Sequence, residues 1–213
     1  MPTSPPNQRS VRFSDDERGG WSSDRPRRGG GPERPADVSV RGRVLGPTDR
    51  LRYSPGSLVV IVSASPAVRE AFAARVIEER GAVLSLAKVR GLLAGRVAAE
   101  EVEARAAELL DTAVARRLEN GESVVIVADG LDWEERDHFV RMAAPLRRPR
   151  HLILIEAGRG ETSDEDRATL NELRNALDAG EMGNEGFQTA LRLGGGSVAE
   201  LKRIVFRPPP RDD

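Results

Sequence analysis

From Leu58 onward, short continuous apolar runs alternate with longer stretches in which apolar residues recur every three or four positions. LVVIV (58–62) is a β-branched run, the mark of a strand buried on both faces. Ala67 to Arg80 follows, with Val68, Phe72, Val76 and Ile77 at helical spacing. AVLSL (82–86) reads as a second short strand. Val97 to Leu118 predicts one long amphipathic helix, its buried stripe running through Val102, Ala106, Leu109, Leu110, Ala113 and Val114. Asn120-Gly121 closes it. SVVIVA (123–128) is a third strand, Trp133 to Met142 a helix closed by Pro145 and Pro149, and HLILIE (151–156) a fourth strand. Ser163 or Asp164 caps a helix that runs to about Leu177. FQTALRL (187–193) and RIVFR (203–207) are strand-like, with a short helical piece near Val198 to Lys202.

Strands separated by helices predict βαβ units, hence an α/β fold whose parallel sheet is covered on both faces. Ligands of such sheets bind beyond the carboxyl ends of the strands. The loops after Val62, Leu84, Val127 and Ile155 are therefore where function is to be sought.

Residues 1 to about 56 differ. They are rich in Pro, Gly, Ser, Arg and Asp, and no periodic apolar pattern appears before Val38. Such a segment buries too little apolar surface to offset its ordering entropy and is expected to be disordered. VSVRGRVLG (38–46) alternates, so it either adds a short edge strand or lies extended. Residues 57–207 form the expected domain and 208–213 a tail. Residues 1–56 hold 11 Arg against 7 Asp or Glu, a surplus of four, interspersed rather than blocked. They read either as a solvated mixed-charge leader or as a basic tail for an acidic partner or nucleic acid.

Composition narrows the chemistry. The chain of 213 residues has a formal charge of −1, so nothing draws it as a whole to nucleic acid or membranes. It contains no cysteine and two histidines, His138 and His151, which excludes disulfides, thiolate sites and a histidine cage. Aromatics are 4%, too sparse for a stacking platform on single-stranded nucleic acid. No run approaches the ~20 apolar residues of a membrane span, and no apolar signal region opens the chain. A cytoplasmic protein is expected. No G-x-S-x-G occurs, and the run Gly194-Gly195-Gly196 reads as a flexible connector.

A strand, a short loop and a helix form the context of a phosphate-binding loop, G-x-x-x-x-G-K-[ST]. Its backbone N–H groups wrap the phosphates, its lysine reaches the outer ones and its hydroxyl binds Mg²⁺. Here those eight positions are Ser63, Ala64, Ser65, Pro66, Ala67, Val68, Arg69 and Glu70. Both glycines are replaced, arginine stands for lysine, glutamate for the hydroxyl, and Pro66 removes a donor. Valine resists the positive φ available to glycine, arginine keeps the charge but not the slim reach of lysine, and a carboxylate repels a triphosphate. The same residues spell a helix start, with Ser65 as N-cap and Pro66 at the first helical position.

With these fragments the sequence resembles the polynucleotide-kinase-like (zeta-toxin/AAA-type ATP-binding) group of P-loop kinases over roughly residues 58–206. The resemblance implies a three-layer P-loop NTPase fold with a mainly parallel sheet. VLSLAKVRGLLAG (83–95) is similar to the family's V-L-S-x-D-x-x-R, in which the aspartate is the general base. Ala87 replaces that base, and Arg90 keeps the phosphate-binding arginine. SVVIVADGLDWEER (123–136) is similar to V-V-V-D-A-T-N-L-x-x-x-x-R. Val127 falls at the aspartate and Arg136 on the arginine. Asp129, two positions further on, is either a substitute acid and the candidate catalytic residue or a turn residue in an Asp-Gly pair. GRGETSDEDRATLNELRNAL (158–177) takes the place of the family's arginine-bearing lid. Arg159, Arg167 and Arg174 are either phosphate contacts or a solvated helix face. EGFQTALRL (185–193) resembles the family's E-G-F-D-x-V-x-x-L close.

Cradle, lysine, metal ligand and base are all altered. The function expected is that of a pseudo-kinase with a binding or regulatory role, engaging a protein partner, with nucleic acid a further possibility and no membrane. The alternative is an ATP-dependent phosphotransferase with a rearranged site, taking ATP and Mg²⁺, with Arg69 and Arg90 on phosphates and Asp129 or Glu70 on metal. A third reading is a subunit that supplies an arginine in trans to an active kinase.

Overall fold

The computed structural model describes residues 50–156 and 162–208. The leader before Arg50, including the alternating stretch 38–46, Arg159 and the end of the tail lie outside the described residues. In chain order the elements are β1 (Arg50–Tyr53), β2 (Leu58–Val62), α1 (Pro66–Val76), β3 (Val83–Ser85), α2 (Leu86–Leu93), α3 (Val102–Glu119), β4 (Val124–Val127), α4 (Trp133–Ala143), β5 (Arg150–Ile155), α5 (Asp164–Asp178), β6 (Thr189–Leu193), α6 (Gly196–Glu200) and β7 (Arg203–Phe206).

Five strands form one sheet in the order β3-β4-β2-β5-β6, every neighbouring pair parallel. The continuous apolar runs divide by parity between its two faces. Leu58, Val60 and Val62 of β2, with Leu152 and Leu154 of β5, join a core with Leu110, Val114 and Leu118 of α3, Phe139 of α4 and Leu173 of α5. Val59, Ile61, Ile153 and Ile155 join the opposite core, closed by Phe72, Ala73 and Val76 of α1 and by Leu201 and Ile204. The result is three layers. Each fully buried aliphatic side chain contributes about 1.5–3 kcal/mol, so the central strands carry much of the stability.

β1 and β7 form a separate two-stranded parallel sheet, Arg50 opposite Arg203 and Tyr53 opposite Phe206. Composition assigns residues 50–53 to the leader, but Tyr53 is buried in the second core and makes a strand worthwhile. RIVFR is a strand as expected, with β1 as its partner rather than the main sheet.

Two helices differ from expectation. α1 stops at Val76 because Ile77 turns extended and bridges Ile204, which buries it against β7. The long helix begins at Val102, not Val97. The chain leaves α2 through Gly95 at φ +73° and makes a single 3₁₀ turn at Ala99–Glu101 first. The buried row of α3 is Ala106, Leu110, Val114 and Leu118, a strict four-residue repeat. Leu109 lies about 100° round the helix from that row and is 39% exposed. Asn120 and Gly121, the latter at φ +75°, end α3 as its sequence predicts.

From β2 the chain crosses to β3 on one side; from β4 it crosses over β2 to β5 on the other. The crevice of an open parallel sheet forms where connections diverge in this way. It lies here beyond the carboxyl ends of the neighbouring strands β2 and β4. No helix among the described residues is long and apolar enough to cross a membrane.

Candidate functional site

The loop after β2 is a helix start. Ser65 is the N-cap, in extended conformation, and its Oγ accepts the Val68 N–H at 3.4 Å. Ser63 Oγ accepts the Ser65 N–H at 3.3 Å, and the Arg69 N–H already donates to the Ser65 carbonyl at 3.2 Å. Pro66 supplies no donor. Three N–H groups of this stretch are therefore taken by the protein itself. Among the described non-glycine residues only Arg147 has positive φ, so Val68 does not take the left-handed turn that wraps a phosphate.

Arg69 points inward. It is 5% exposed; its Nη1 donates to the Ser63 carbonyl at 2.8 Å and its Nη2 to the Asp129 carbonyl. The guanidinium thus spans from the end of β2 to the loop after β4 and fills the gap between them. Burial pushes its pKa down, and the carboxylates of Asp129, Glu135 and Glu70 pull against that shift.

The loop after β4 is held from both sides. Glu135, on the first turn of α4, accepts the Asp129 N–H at 2.9 and 3.0 Å and the Gly130 N–H at 3.3 Å. Burial pushes the Glu135 carboxyl up, against the pull of these donors. The Asp129 carboxylate faces outward onto Arg90, whose Nη1 and Nη2 donate to it at 3.1 and 3.0 Å. Arg90 also donates to Glu103 at 2.7 and 2.5 Å, and these two carboxylates raise its pKa. Arg69 Nη2 lies 3.9 Å from Asp129 Oδ1. The structure therefore brings Ser63, Ser65, Arg69, Arg90 and Asp129 together at the carboxyl edge of the sheet, and sets Glu103 and Glu135 among them. Two guanidinium groups face three carboxylates, so the cluster presents no surplus positive charge to a phosphate.

The remaining candidates are elsewhere. Arg136 is 4% exposed and grips Glu185 with Nε and Nη2, both at 2.8 Å, while Nη1 donates to the Leu131 carbonyl. It ties α4 to the turn before β6 and is not available to a ligand. Arg167 is exposed on α5 and pairs with Asp164 at 2.8 Å, the solvated-face arrangement. Arg174 Nε donates to Glu156 at 2.9 Å, and Arg192 joins the same carboxylate at 2.5 Å. Burial alone would raise the Glu156 pKa, but these two arginines hold it below the usual range. Ala64, Pro66 and Ala67 offer no side-chain chemistry, and Glu70 is half-buried on α1. Among the described residues no three carboxylate or imidazole groups are arranged to hold a metal ion.

Glu103, Glu135, Glu156 and Glu185 all escaped sequence reasoning. Glu185 opens the E-G-F segment, whose Gly186 sits at φ +88° with Val140 Cγ1 2.8 Å from where a Cβ would stand. The glycine signals a tight turn, and the residue before it is the buried arginine's counter-charge. Glu135 had no signal beyond its place on the first turn of a helix, where carboxylates are common.

No family model matches this chain, and no curated protein matches it.

Proposed function

We propose that this chain is a catalytically degenerate, P-loop-kinase-like protein with a binding or regulatory role, engaging a protein partner. The observation that carries this reading is Arg69. The residue at the phosphate-gripping position turns its guanidinium onto two backbone carbonyls of its own chain instead of outward. Ala87 at the position of the base, and the self-satisfied N–H groups of Ser65, Val68 and Arg69, support the same reading. Transfer of a phosphoryl group rests on positioning and on stabilising negative charge. A crevice whose arginines are already matched by carboxylates does neither.

The test is thermal unfolding of the full chain with and without millimolar ATP and Mg²⁺. A ligand at a hundred times its dissociation constant stabilises by about 2.7 kcal/mol, which is easily seen. No shift is expected. A magnesium-dependent shift abolished in Arg69→Ala would overturn the reading in favour of an ATP-dependent phosphotransferase. That alternative would use Asp129, 44% exposed at the side chain and beside two arginines, as its acid.

A further inference from the structure

At the opposite end of the sheet sits a buried group that the proposed function does not use. His151, the second residue of β5, is 8% exposed and lies between β2 and β6, opposite Val59 and Thr189. Its Nδ1 is 2.8 Å from Thr189 Oγ1, and its Nε2 is buried with no hydrogen-bond partner among the described residues. The Tyr53 ring of β1 stacks on it, with centroids 4.2 Å apart and planes inclined by 27°. Tyr53 is the one buried residue of β1, so this stack is a contact by which that strand meets the main sheet, beside its pairing with β7.

The surroundings offer an imidazolium little. β1 contributes the Tyr53 hydroxyl, whose ionisation burial suppresses; β7 contributes Phe206, 6.3 Å from the tyrosine ring; β2 contributes Val59 and β6 Thr189. The charge acting on His151 is Arg150, whose guanidinium is fixed by the Gly186 and Arg148 carbonyls at 2.7 and 3.1 Å. Among the described residues no carboxylate acts on it. A cation here gains the face of Tyr53, but it loses water, meets a like charge, and aims an Nε2–H at nothing. The losses win: burial first and Arg150 second lower the His151 pKa to about 3.

Relief requires something to move. β5 is paired on both sides, to β2 and β6, whereas β1 is paired only to β7. β1 is therefore the element that yields. We propose that His151 is an acid-operated latch: taking up a proton at Nε2 drives Tyr53 off the imidazole and releases β1, while the five-stranded sheet stays paired.

Tyr53 is the sole tyrosine, so the full chain labelled with ¹³C-tyrosine reports the latch through one set of ring signals. As pH falls from 7.5 to 4.5, a second, solvent-exposed set should grow. Its ratio to the first should rise up to about tenfold per pH unit below 6.5. The Trp133 signal and the helical circular dichroism should hold. In His151→Phe, and in His151→Gln as a second neutral replacement, the exposed set should not grow. In the wild type the imidazole signals of His151 should titrate with the same midpoint as Tyr53, a check that needs no variant. The latch is overturned by an unchanged Tyr53 signal at pH 4.5, by different midpoints for the two rings, by the same titration in the neutral variants, or by loss of the whole fold in step with Tyr53.

Discussion

The two ends of the central sheet bury polar side chains in opposite ways. Toward the carboxyl end Arg69, Arg136 and Glu135 are matched, Arg69 by two carbonyls, Arg136 by a carboxylate and a carbonyl, Glu135 by two N–H groups. At the amino end the His151 imidazole has one partner and an orphaned nitrogen. A matched buried charge acts as cement, because its removal strands the partner in a place without water. An unmatched titratable group acts as a trigger, because a proton converts a tolerated site into a hostile one. One molecule thus carries matched charges at the end where such folds bind ligands and an unmatched imidazole at the end where they do not.

The largest effect should come from Arg136→Ala. Removing one member of a buried pair costs about 3 kcal/mol, and urea denaturation should show a loss of that order. The double replacement Arg136→Met, Glu185→Met should recover most of it. A loss below about 1 kcal/mol would remove the cement from the carboxyl end. Arg69→Ala should cost about 2 kcal/mol by leaving the Ser63 and Asp129 carbonyls without donors. Arg69→Lys should not restore it, since an ammonium lacks the two-pronged reach that spans both loops.

The amino end should be revealed by pH. The His151 value of about 3 lies below the ordinary 6.5, so the folded protein excludes a proton that the unfolded chain accepts. Stability from this source is complete above pH 6.5 and is lost as pH falls toward 3. By pH 5 the loss is about 2 kcal/mol. His151→Phe should lack it, so the two proteins should diverge in denaturation midpoint between pH 7 and 5. Parallel curves would dissolve the contrast between the two ends. The smallest effect should be that of Ser65→Ala, about 1 kcal/mol for a lost helix cap, with α1 otherwise intact by circular dichroism.

Much of the frame was legible in the residues. LVVIV, SVVIVA and HLILIE announce strands buried on both faces, and the Ser65-Pro66 and Ser163 caps mark the starts of α1 and α5 at the observed places. The late start of the helix predicted over Val97–Leu118 was less visible, since apolar spacing runs unbroken through the 3₁₀ turn at Ala99–Glu101 that precedes α3. The candidate site was legible in part. The altered loop could be read from Ser63 to Glu70, but the destination of each arginine could not. Arg69, Arg90 and Arg136 carry the same charge at similar helix positions, yet one caps carbonyls, one holds two exposed carboxylates and one is sealed against Glu185.

The division follows from range. Local pattern determines which segments are strands and helices, because burial on one or two faces imprints a period of 2.0 or 3.6 residues or a continuous apolar run. It also determines that Ser63 to Glu70 departs from G-x-x-x-x-G-K-[ST] at both glycines, the lysine and the hydroxyl. Only the tertiary structure decides what the remaining polar groups do, because their partners lie far along the chain. Arg69 meets the carbonyl of Asp129, 60 residues away, and Arg136 meets Glu185, 49 away. His151 and Tyr53 come together across the gap between two sheets, and no spacing in the sequence records that stack.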